Sequence, residues 1–532
     1  MINKKTIFWC LAGVISLGFL NNQELFARDG FGYTFESRLY KNMIDGSTEQ
    51  AVLKDGFFNE ENFTIEYNRS KETSPVEIRS AVNLRLTNDR QASGKDFELR
   101  NYYFMLSGGA GGNFDLSLGN IYTQFSRYAL NRNIEGIAGR IKFGKTSVIP
   151  VWGQTQKAEN DRTYQRLAYG IRLENSPNSK SRIGFSYLTT ADNPNSVSLD
   201  TTTFRREENS IMALDGSVAF GAWQLEGEAA SSGYDEKNTS RSEKGIAYRL
   251  KAMYRKSNFR GEAEYEVADS SFNTLSGWAI KDRAVAKTRL GYTFSEKIAG
   301  EISYELSKNN VSGYLPFGES AASPAVMINF ALPKNRMDAY LSTRMRNVIS
   351  DDNPRTTERG VFTVASGLGL RLWGFLRPSF SVENNFNTDS KTPANDTRST
   401  FYEASLKAML GKNSGGGLDF APMITYRVNE DYVSATGLTD FNKSVITRFS
   451  AQTEKYWEFG GNFTTSWSDR PNSGSSASRI LWSADATARI KGSNDKTLTL
   501  AYSVNNNETR NPASGISKYT ESVLETRLRL KF

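Results

Sequence analysis

Hydrophobic and polar residues alternate along most of this chain with a period of two. In the segment Leu524–Phe532 the even positions carry leucine, threonine or phenylalanine, and the odd positions carry glutamate, arginine or lysine. A period of two places the two sets on opposite faces of a β-strand. One face is then apolar and the other charged, which is typical of a sheet exposed to water or of a membrane barrel strand between lipid and a wet lumen.

The clearest predicted hairpin turns at residues 256–257, between two alternating segments. Counting back from a two-residue turn pairs Lys251 with Glu262 and Arg249 with Glu264. Opposite charges then face each other on the polar side of the ladder, where each pair contributes ~0.2–1 kcal/mol. These pairs define the register, because a slip of one residue would move charge to the apolar face.

The same design repeats along the chain and predicts about 26 strands, within a range of 22 to 26. Short turns are predicted at 220–221, 256–257, 295–297, 334–336, 373–375, 411–416, 453–455 and 491–495. Long polar loops are predicted between them, at 190–208, 231–244, 268–282, 308–325, 348–360, 387–399, 429–443, 468–477 and 505–519. Strict alternation of short and long connections indicates an all-β fold, a single antiparallel transmembrane β-barrel with short periplasmic turns and long extracellular loops.

Tryptophans near strand ends agree with this interpretation. Three lie beside predicted short turns and three beside predicted long loops, as expected for interfacial bands. They are Trp223, Trp373 and Trp457 at the first end, and Trp152, Trp467 and Trp482 at the second.

Residues 120–132 interrupt the strand pattern. Ile121, Phe125, Tyr128 and Ala129 recur with helical spacing, which predicts a short helix or a loop folded into the lumen. The alternative is a longer extracellular loop with several aromatic residues. The segment from residue 119 to residue 139 resembles a stretch found in some Gram-negative outer-membrane β-barrel proteins, a resemblance that carries no known activity.

The first residues predict a secretory signal. A positively charged N-terminal segment is followed by an apolar run from Thr6 to Leu20 and then by a polar segment, with cleavage expected after Ala27. We therefore predict a signal peptide at 1–27 and an outer-membrane barrel at 28–532. The single cysteine, Cys10, lies inside the apolar run, so the mature chain is expected to contain no disulfide.

The end of the chain carries a second resemblance. An amphipathic last strand that ends in the aromatic Phe532 resembles the assembly signal of bacterial outer-membrane β-barrels. The resemblance implies outer-membrane localisation, contact with outer-membrane lipid and recognition by the barrel-assembly machinery.

Composition excludes several kinds of chemistry. The 532-residue chain has no histidine and one cysteine, so Ser-His-Asp hydrolysis and the usual zinc and haem sites are excluded. Acidic pairs such as Glu207-Glu208 and Asp351-Asp352 fall in or beside polar loops, where solvation is the simpler role. The net charge of +8 is interspersed, without the basic patches that nucleic acid requires. We predict no enzyme, no cofactor, no metal and no nucleic-acid partner.

The polar strand faces remain as the functional element. A barrel of this size has an interior too wide for its own side chains to fill. The predicted pore-lining residues, which share the polar face of their strands, are Arg79, Arg85, Arg172, Arg249, Lys251, Glu262, Glu264, Arg289, Glu301, Glu305, Arg344 and Arg346.

These residues predict a porin-like outer-membrane channel for passive passage of small hydrophilic solutes, with a mild preference for anions. The alternative is a non-enzymatic barrel in a secretion or assembly machine, or a surface-interaction barrel. A strand number above the 16–18 of porins favours this alternative. The pattern does not specify the oligomeric state.

Overall fold

The computed structural model describes residues 30–46, 51–69, 76–89, 95–108, 113–158, 163–197, 205–239, 241–331, 336–411, 418–453, 456–490, 493 and 495–532. Within these residues the chain forms 26 strands and two single-turn 3₁₀ helices, Pro194–Ser196 and Pro393–Asn395. The strands are β1 Phe31–Gly46, β2 Gly56–Arg69, β3 Val76–Thr87, β4 Phe97–Gly108, β5 Phe114–Gln124, β6 Asn131–Phe143, β7 Thr146–Gln156, β8 Gln165–Asn178, β9 Ser181–Asn193, β10 Glu207–Phe220, β11 Trp223–Glu236, β12 Arg241–Lys256, β13 Phe259–Ala268, β14 Arg283–Ser295, β15 Ile298–Asn309, β16 Glu319–Ala331, β17 Met337–Ser350, β18 Glu358–Leu370, β19 Leu376–Asp389, β20 Thr397–Ala408, β21 Leu418–Val433, β22 Leu438–Thr453, β23 Trp457–Arg470, β24 Ser475–Arg489, β25 Lys496–Asn511 and β26 Gly515–Lys531.

The strands form one closed ring. Each pairs antiparallel with the strand before it and the strand after it, and β1 pairs with β26 to close the sheet. Ion pairs join this seam on the charged face, Arg38 to Glu525 at 2.8 Å and Arg529 to Glu36 at 3.3 Å. The predicted all-β antiparallel barrel is confirmed, and its strand number lies at the top of the predicted range. Strands spaced ~4.8 Å apart and tilted by ~40° give this ring a perimeter of roughly 160 Å.

The alternating pattern separates the two faces of the ring. In β26, Leu524 and Leu528 lie on one face, and Arg527 and Arg529 lie on the other. The same division holds around the sheet because directly opposite residues of antiparallel strands share a face. The apolar face leaves large side chains exposed, including Leu524 and the strand-end tryptophan Trp457.

The charged face is the inner face. The connection between β5 and β6 is residues 125–130. Its backbone N–H groups bond to Glu228 of β11, and the Tyr128 hydroxyl bonds to Glu266 of β13, so the loop reaches strands well along the ring. A loop of this length could not reach those strands over the convex outer surface, since each residue spans at most ~3.5 Å. The loop therefore lies inside, and the wall from β5 to β13 curves tightly around it.

The register of the β12–β13 hairpin differs from the prediction. The turn consists of Ser257 and Asn258, so Lys251 lies opposite Glu264 rather than Glu262. Ser257 takes a positive φ of 49°, which places the turn one residue later than the sequence pattern suggested. The predicted charge pairs nevertheless form diagonally, because long side chains reach the neighbouring position on the same face.

Several predicted long loops are in fact extensions of the strands. The predicted loop 505–519 contains the end of β25 and the start of β26, with only 512–514 between them, and 429–443 shortens to 434–437. The end of β25 is polar on both faces, so the period of two disappears there although the ladder continues. Lys518 and Glu508, for example, are opposite in the ladder and 2.7 Å apart. The longer connections that remain include 194–206, 269–282 and 310–318.

Residues 120–132 do not form a helix. β5 continues to Gln124, β6 begins at Asn131, and only 125–130 leaves the sheet. This piece turns inward, as one of the two alternatives predicted. The predicted signal peptide 1–27 lies outside the described residues. No helix in the described part of the chain is long and apolar enough to cross a membrane.

Candidate functional site

Two connections fold into the barrel from the same end of the ring. The first interior loop is residues 125–130, between β5 and β6, and the second is residues 269–282, between β13 and β14. Both follow odd-numbered strands, which all run in one direction, so both enter from the end opposite the chain termini. Tyr128 and Phe272, one from each loop, are completely buried and contact each other edge to face at 5.5 Å.

The inner wall beneath these loops consists mainly of small, apolar side chains. Buried inner-face residues of β10 to β13 pack against Tyr128 and Phe272 in one hydrophobic cluster, and they include Ile211, Ala213, Ala230, Ala247 and Ala268. Gly245 of β12 also belongs to this wall, since a Cβ there would lie 2.2 Å from the Phe272 backbone nitrogen. Small inner-face side chains therefore leave the space that the loops occupy.

Two glutamates of the wall hold the first interior loop. The carboxylate of Glu228 accepts hydrogen bonds from the backbone N–H groups of Arg127 and Tyr128, at 3.1 and 3.0 Å. Glu266 accepts two hydrogen bonds from the Arg127 guanidinium, at 3.2 and 2.9 Å, and one from the Tyr128 hydroxyl at 3.2 Å. Charge-assisted bonds of this kind are about twice as strong as neutral ones.

The two interior loops also bind each other. The guanidinium of Arg127 lies 3.8 Å from the ring centroid of Trp278, and the backbone N–H of Trp278 donates to the Arg127 carbonyl at 2.8 Å. The Thr274 hydroxyl donates to the carbonyl of Tyr128 at 2.8 Å. Gly277 permits this approach, because a Cβ there would lie 1.9 Å from the same carbonyl oxygen.

Asn209 and Asn273 connect the second interior loop to the wall. The Asn209 side-chain amide donates to the Asn273 carbonyl at 3.0 Å, and its oxygen accepts from the backbone of Leu275 at 3.3 Å. The side chain of Asn273 donates to Glu243 at 2.7 Å. Asn209 and Asn273 are almost fully buried, so their hydrogen bonds replace water that the loop excludes.

Burial changes the acidity of two loop side chains. Burial, followed by the nearby carboxylates of Glu266 and Glu228, raises the pKa of the Tyr128 hydroxyl, which stays protonated and keeps donating to Glu266. Burial lowers the pKa of Lys281 in the second interior loop, and the nearby Arg241 lowers it further.

Most predicted pore-lining residues lie on the inner face in ion pairs. Arg172 forms two hydrogen bonds with Asp215, at 2.5 and 2.9 Å, and approaches Glu174 at 3.2 Å. Its side chain is 1% exposed, so it belongs to the closed part of the wall. Arg85 lies 3.0 Å from Glu60 in a similarly buried position.

The wall from β12 to β15 continues this pairing. Arg249 lies 2.7 Å from Glu264, and Lys251 lies 3.0 Å from Glu262. These two ion pairs are the diagonal contacts of the hairpin described above.

Two glutamates of β15 each contact two cations. Glu301 contacts Arg260 at 2.7 Å and Arg289 at 3.2 Å. Glu305 contacts Lys287 at 3.3 Å and Arg283 at 3.8 Å.

Three predicted residues are arranged differently. Arg79 contacts only its strand neighbour Glu77, at 2.5 Å, among the described carboxylates. Arg344 and Arg346 of β17 lie on the inner face without an ion-pair partner in the described parts of the chain. The structure thus brings together Arg249, Lys251 and their acids, and leaves Arg344 and Arg346 apart from them.

The sequence pattern missed the residues that organise the interior. Arg127, Trp278 and Asn273 lie in connections, where a period of two carries no information about contacts. Glu228 and Glu266 were detectable as inner-face acids of alternating strands, but their loop partners were not. Among the described residues, no group of three or more acidic, histidine or cysteine side chains could hold a metal ion.

Comparisons with known proteins give structural likeness only. No family model and no curated protein matches this sequence. Similar solved structures include the siderophore receptor PirA from Pseudomonas aeruginosa, with 10% identity over 94% of this chain and 80% of that one, at a TM-score of 0.43. The P pilus usher PapC translocation pore shows 10% identity over 94% and 98%, at a TM-score of 0.38. OccAB4 from Acinetobacter baumannii shows 10% identity over 94% and 98%, at a TM-score of 0.29. These neighbours are outer-membrane β-barrel proteins, and at such identity no residue role carries over from them.

Proposed function

We propose that this chain is a non-enzymatic outer-membrane channel through which small hydrophilic solutes pass by diffusion. The supporting observation is a closed ring with an apolar outer face, a charged inner face and interior loops packed against the wall from β5 to β13. Farther along the ring, inner-face cations reach solvent, and the side chains of Arg289, Arg427 and Arg527 are 60, 45 and 52% exposed. A charged, water-accessible wall is what a diffusion channel needs.

The direct test is single-channel recording. The mature barrel is refolded, checked for heat-modifiable migration and inserted into a planar lipid bilayer. Steady openings in potassium chloride are expected. A folded barrel that inserts but carries no current contradicts the channel function.

The second candidate is a non-enzymatic barrel in a secretion or assembly machine, or a surface-interaction barrel. The 26 strands favour it, because general porins have 16 to 18. Isolation of the barrel from membranes with a stoichiometric partner, together with absence of current, would support this candidate over the channel.

Reversing two inner-face charges is expected to change ion selectivity. In the variant R344E/R346E, the relative permeability of chloride over potassium should fall about threefold or more, because these cations lack a carboxylate partner in the described chain and act on passing ions directly. The measurement is the reversal potential in a salt gradient. The matched control is R398E/K443E, which changes the same charge on the outer face. Equal shifts in the two variants would contradict the expectation.

Removing the terminal aromatic ring is expected to impair assembly in cells. Phe532 exchanges backbone hydrogen bonds with Tyr33, at 3.0 and 2.8 Å, across the closing seam. The variant F532A keeps this backbone and removes only the ring, so refolding in detergent should be unchanged. The amount of heat-modifiable barrel in membranes should fall severalfold, and F294A, which removes an exposed aromatic ring of β14, should have no such effect. Normal assembly of F532A would exclude Phe532 as an assembly signal.

A further inference from the structure

A row of cations crosses the inner face at the short-turn end of the barrel. Arg377 of β19 lies directly opposite Lys407 of β20, and Lys407 lies opposite Met423, which lies opposite Arg448 of β22. Neighbouring strands are ~4.8 Å apart, so this row brings like charges close together.

The row extends past β19 to two further arginines, one just before β17 and one just after β18. The backbone N–H of Arg371 donates to the carbonyl of Arg336 at 2.8 Å. The bridge between Leu372 and Leu376 makes Arg371 the residue opposite Arg377. We call Arg336, Arg371, Arg377, Lys407 and Arg448 the cation row.

The cation row differs from the ion-paired cations of the wall from β12 to β15. Like charges directly opposite each other on a ladder are destabilising. None of the five cations has a carboxylate within 4.0 Å in the described residues, whereas Arg249, Lys251, Arg260 and Lys287 each have one. The Nε atom of Arg377 is buried and has no hydrogen-bond partner in the same residues. Five cations without a carboxylate partner concentrate positive charge on one part of the inner face, and a bound anion would compensate that charge.

A pocket lies beside the row, one inner-face position farther into the barrel. Its volume is about 590 Å³, and its inner-face lining includes Asn329, Asp338, Tyr340, Gly367, Gly369 and Ser379. Asp338, Gly369 and Ser379 are each two residues from a cation of the row, a distance of ~7 Å along a strand. The pocket and the row therefore form one surface.

The pocket offers groups that suit a hydroxylated molecule. The ring of Tyr340 lies over Gly367, since a Cβ there would be 2.3 Å from its Cε1 atom. The hydroxyl groups of Ser379 and Ser405 form one hydrogen bond with each other, at 2.7 Å. The carboxylate of Asp338 can accept hydrogen bonds from hydroxyl groups.

From this geometry we infer that the cation row and the adjoining pocket bind hydroxylated anions of the sugar phosphate class. The phosphate contacts the guanidinium groups of the row, and the sugar lies against Tyr340 and the serine hydroxyls. This inference rests on the proposed channel function and names its preferred solute class. Binding at this mouth would concentrate the solute before passage.

The test is calorimetry on the folded full-length barrel in detergent, with glucose 6-phosphate, inorganic phosphate and glucose as probes. Glucose 6-phosphate is expected to bind more tightly than phosphate, and glucose without measurable heat. R377Q/K407Q should weaken binding of both anions by about a hundredfold, since each of the two lost charged hydrogen bonds is equivalent to roughly tenfold. R448Q, which leaves the opposite pair intact, should weaken it less.

Matched variants separate local binding from net charge. K287Q/R289Q removes the same charge from the inner face but leaves Glu305 with Arg283 and Glu301 with Arg260. It should leave affinity within about twofold of the unmodified protein, which is the scatter expected for a distant site. Y340A should weaken glucose 6-phosphate but not phosphate, whereas Y340F should bind both normally.

The outcomes distinguish this inference from the channel function. Equal losses in R377Q/K407Q and K287Q/R289Q, or equal affinity for phosphate and glucose 6-phosphate, would overturn the inference even if the barrel conducts. A barrel that binds glucose 6-phosphate as expected but carries no current would keep the site and contradict the channel.

Discussion

Replacing Glu228 with alanine is expected to release the first interior loop and to widen the path through the proposed channel. The carboxylate of Glu228 is the acceptor for two backbone N–H groups, those of Arg127 and Tyr128. Without it, both N–H donors face a partly buried wall without an acceptor, which costs ~1–3 kcal/mol of free energy for each donor. Even ~2 kcal/mol raises the population of a displaced loop about 30-fold. Single-channel recording should show larger current with more fluctuation.

Glu226 provides the matched control for this experiment. It lies on the same face of β11, two residues away, and its partner Arg249 keeps the closer ion pair with Glu264. E226A should therefore conduct like the unmodified barrel. E228Q, which keeps one acceptor oxygen, should lie between the two. If E228A and E226A gave the same current, the first interior loop would not control the path.

The double variant E228A/E266A should have a greater effect. Glu266 holds both the guanidinium of Arg127 and the hydroxyl of Tyr128, so the two glutamates together account for five hydrogen bonds to this loop. The contacts of Trp278 and Thr274 with the first loop would then remain, and they would tie it to a second loop that Asn209 still holds to the wall.

Replacing Arg172 with methionine is expected to cause the largest loss of stability. Arg172 is 1% exposed and lies between the carboxylates of Asp215 and Glu174. Removing one partner from a buried ion cluster typically costs ~3–5 kcal/mol, because the remaining charge loses its compensation. Arg182 stays within 3.7 Å of both acids, which places the expected loss near ~3 kcal/mol. The measurement is the free energy of unfolding from denaturant titration of the barrel in lipid vesicles.

Two further variants define the cause of this loss. R289M removes an arginine that is 60% exposed and should change the free energy of unfolding by less than ~1 kcal/mol. R172K keeps the charge but not the fork that contacts both acids, so it should fall between R172M and the unmodified protein. A loss in R289M equal to that in R172M would contradict the role of burial.

Local sequence patterns determined the strands because each strand carries its own alternation. The apolar and charged faces of β12, β13 and β26 follow directly from residues two apart, and the predicted number of strands followed from repetition. Boundaries were less accurate where both faces are polar. There the ladder of β25 and β26 continues through Glu508 and Lys518, yet the alternation that would mark it is absent.

The register of each hairpin can be predicted only when the position of its turn is known. A shift of the β12–β13 turn by one residue moved the residue opposite Lys251 from Glu262 to Glu264. The faces were unaffected, because moving a two-residue turn by one position shifts the pairing by two residues. This is why the face of Lys251 followed from the alternation although its directly opposite residue did not.

The sequence by itself determined the class of fold, the two faces of the sheet and the absence of histidine chemistry, because these depend on composition and on neighbours within one strand. Only the tertiary structure decided what occupies the interior. Arg127 contacts Glu266 and Gly277 approaches Tyr128, although these residues are far apart in the chain. Arg377 lies opposite Lys407 because the connection between their strands has one exact position. Such contacts arise from ring closure and loop packing, which no local period encodes.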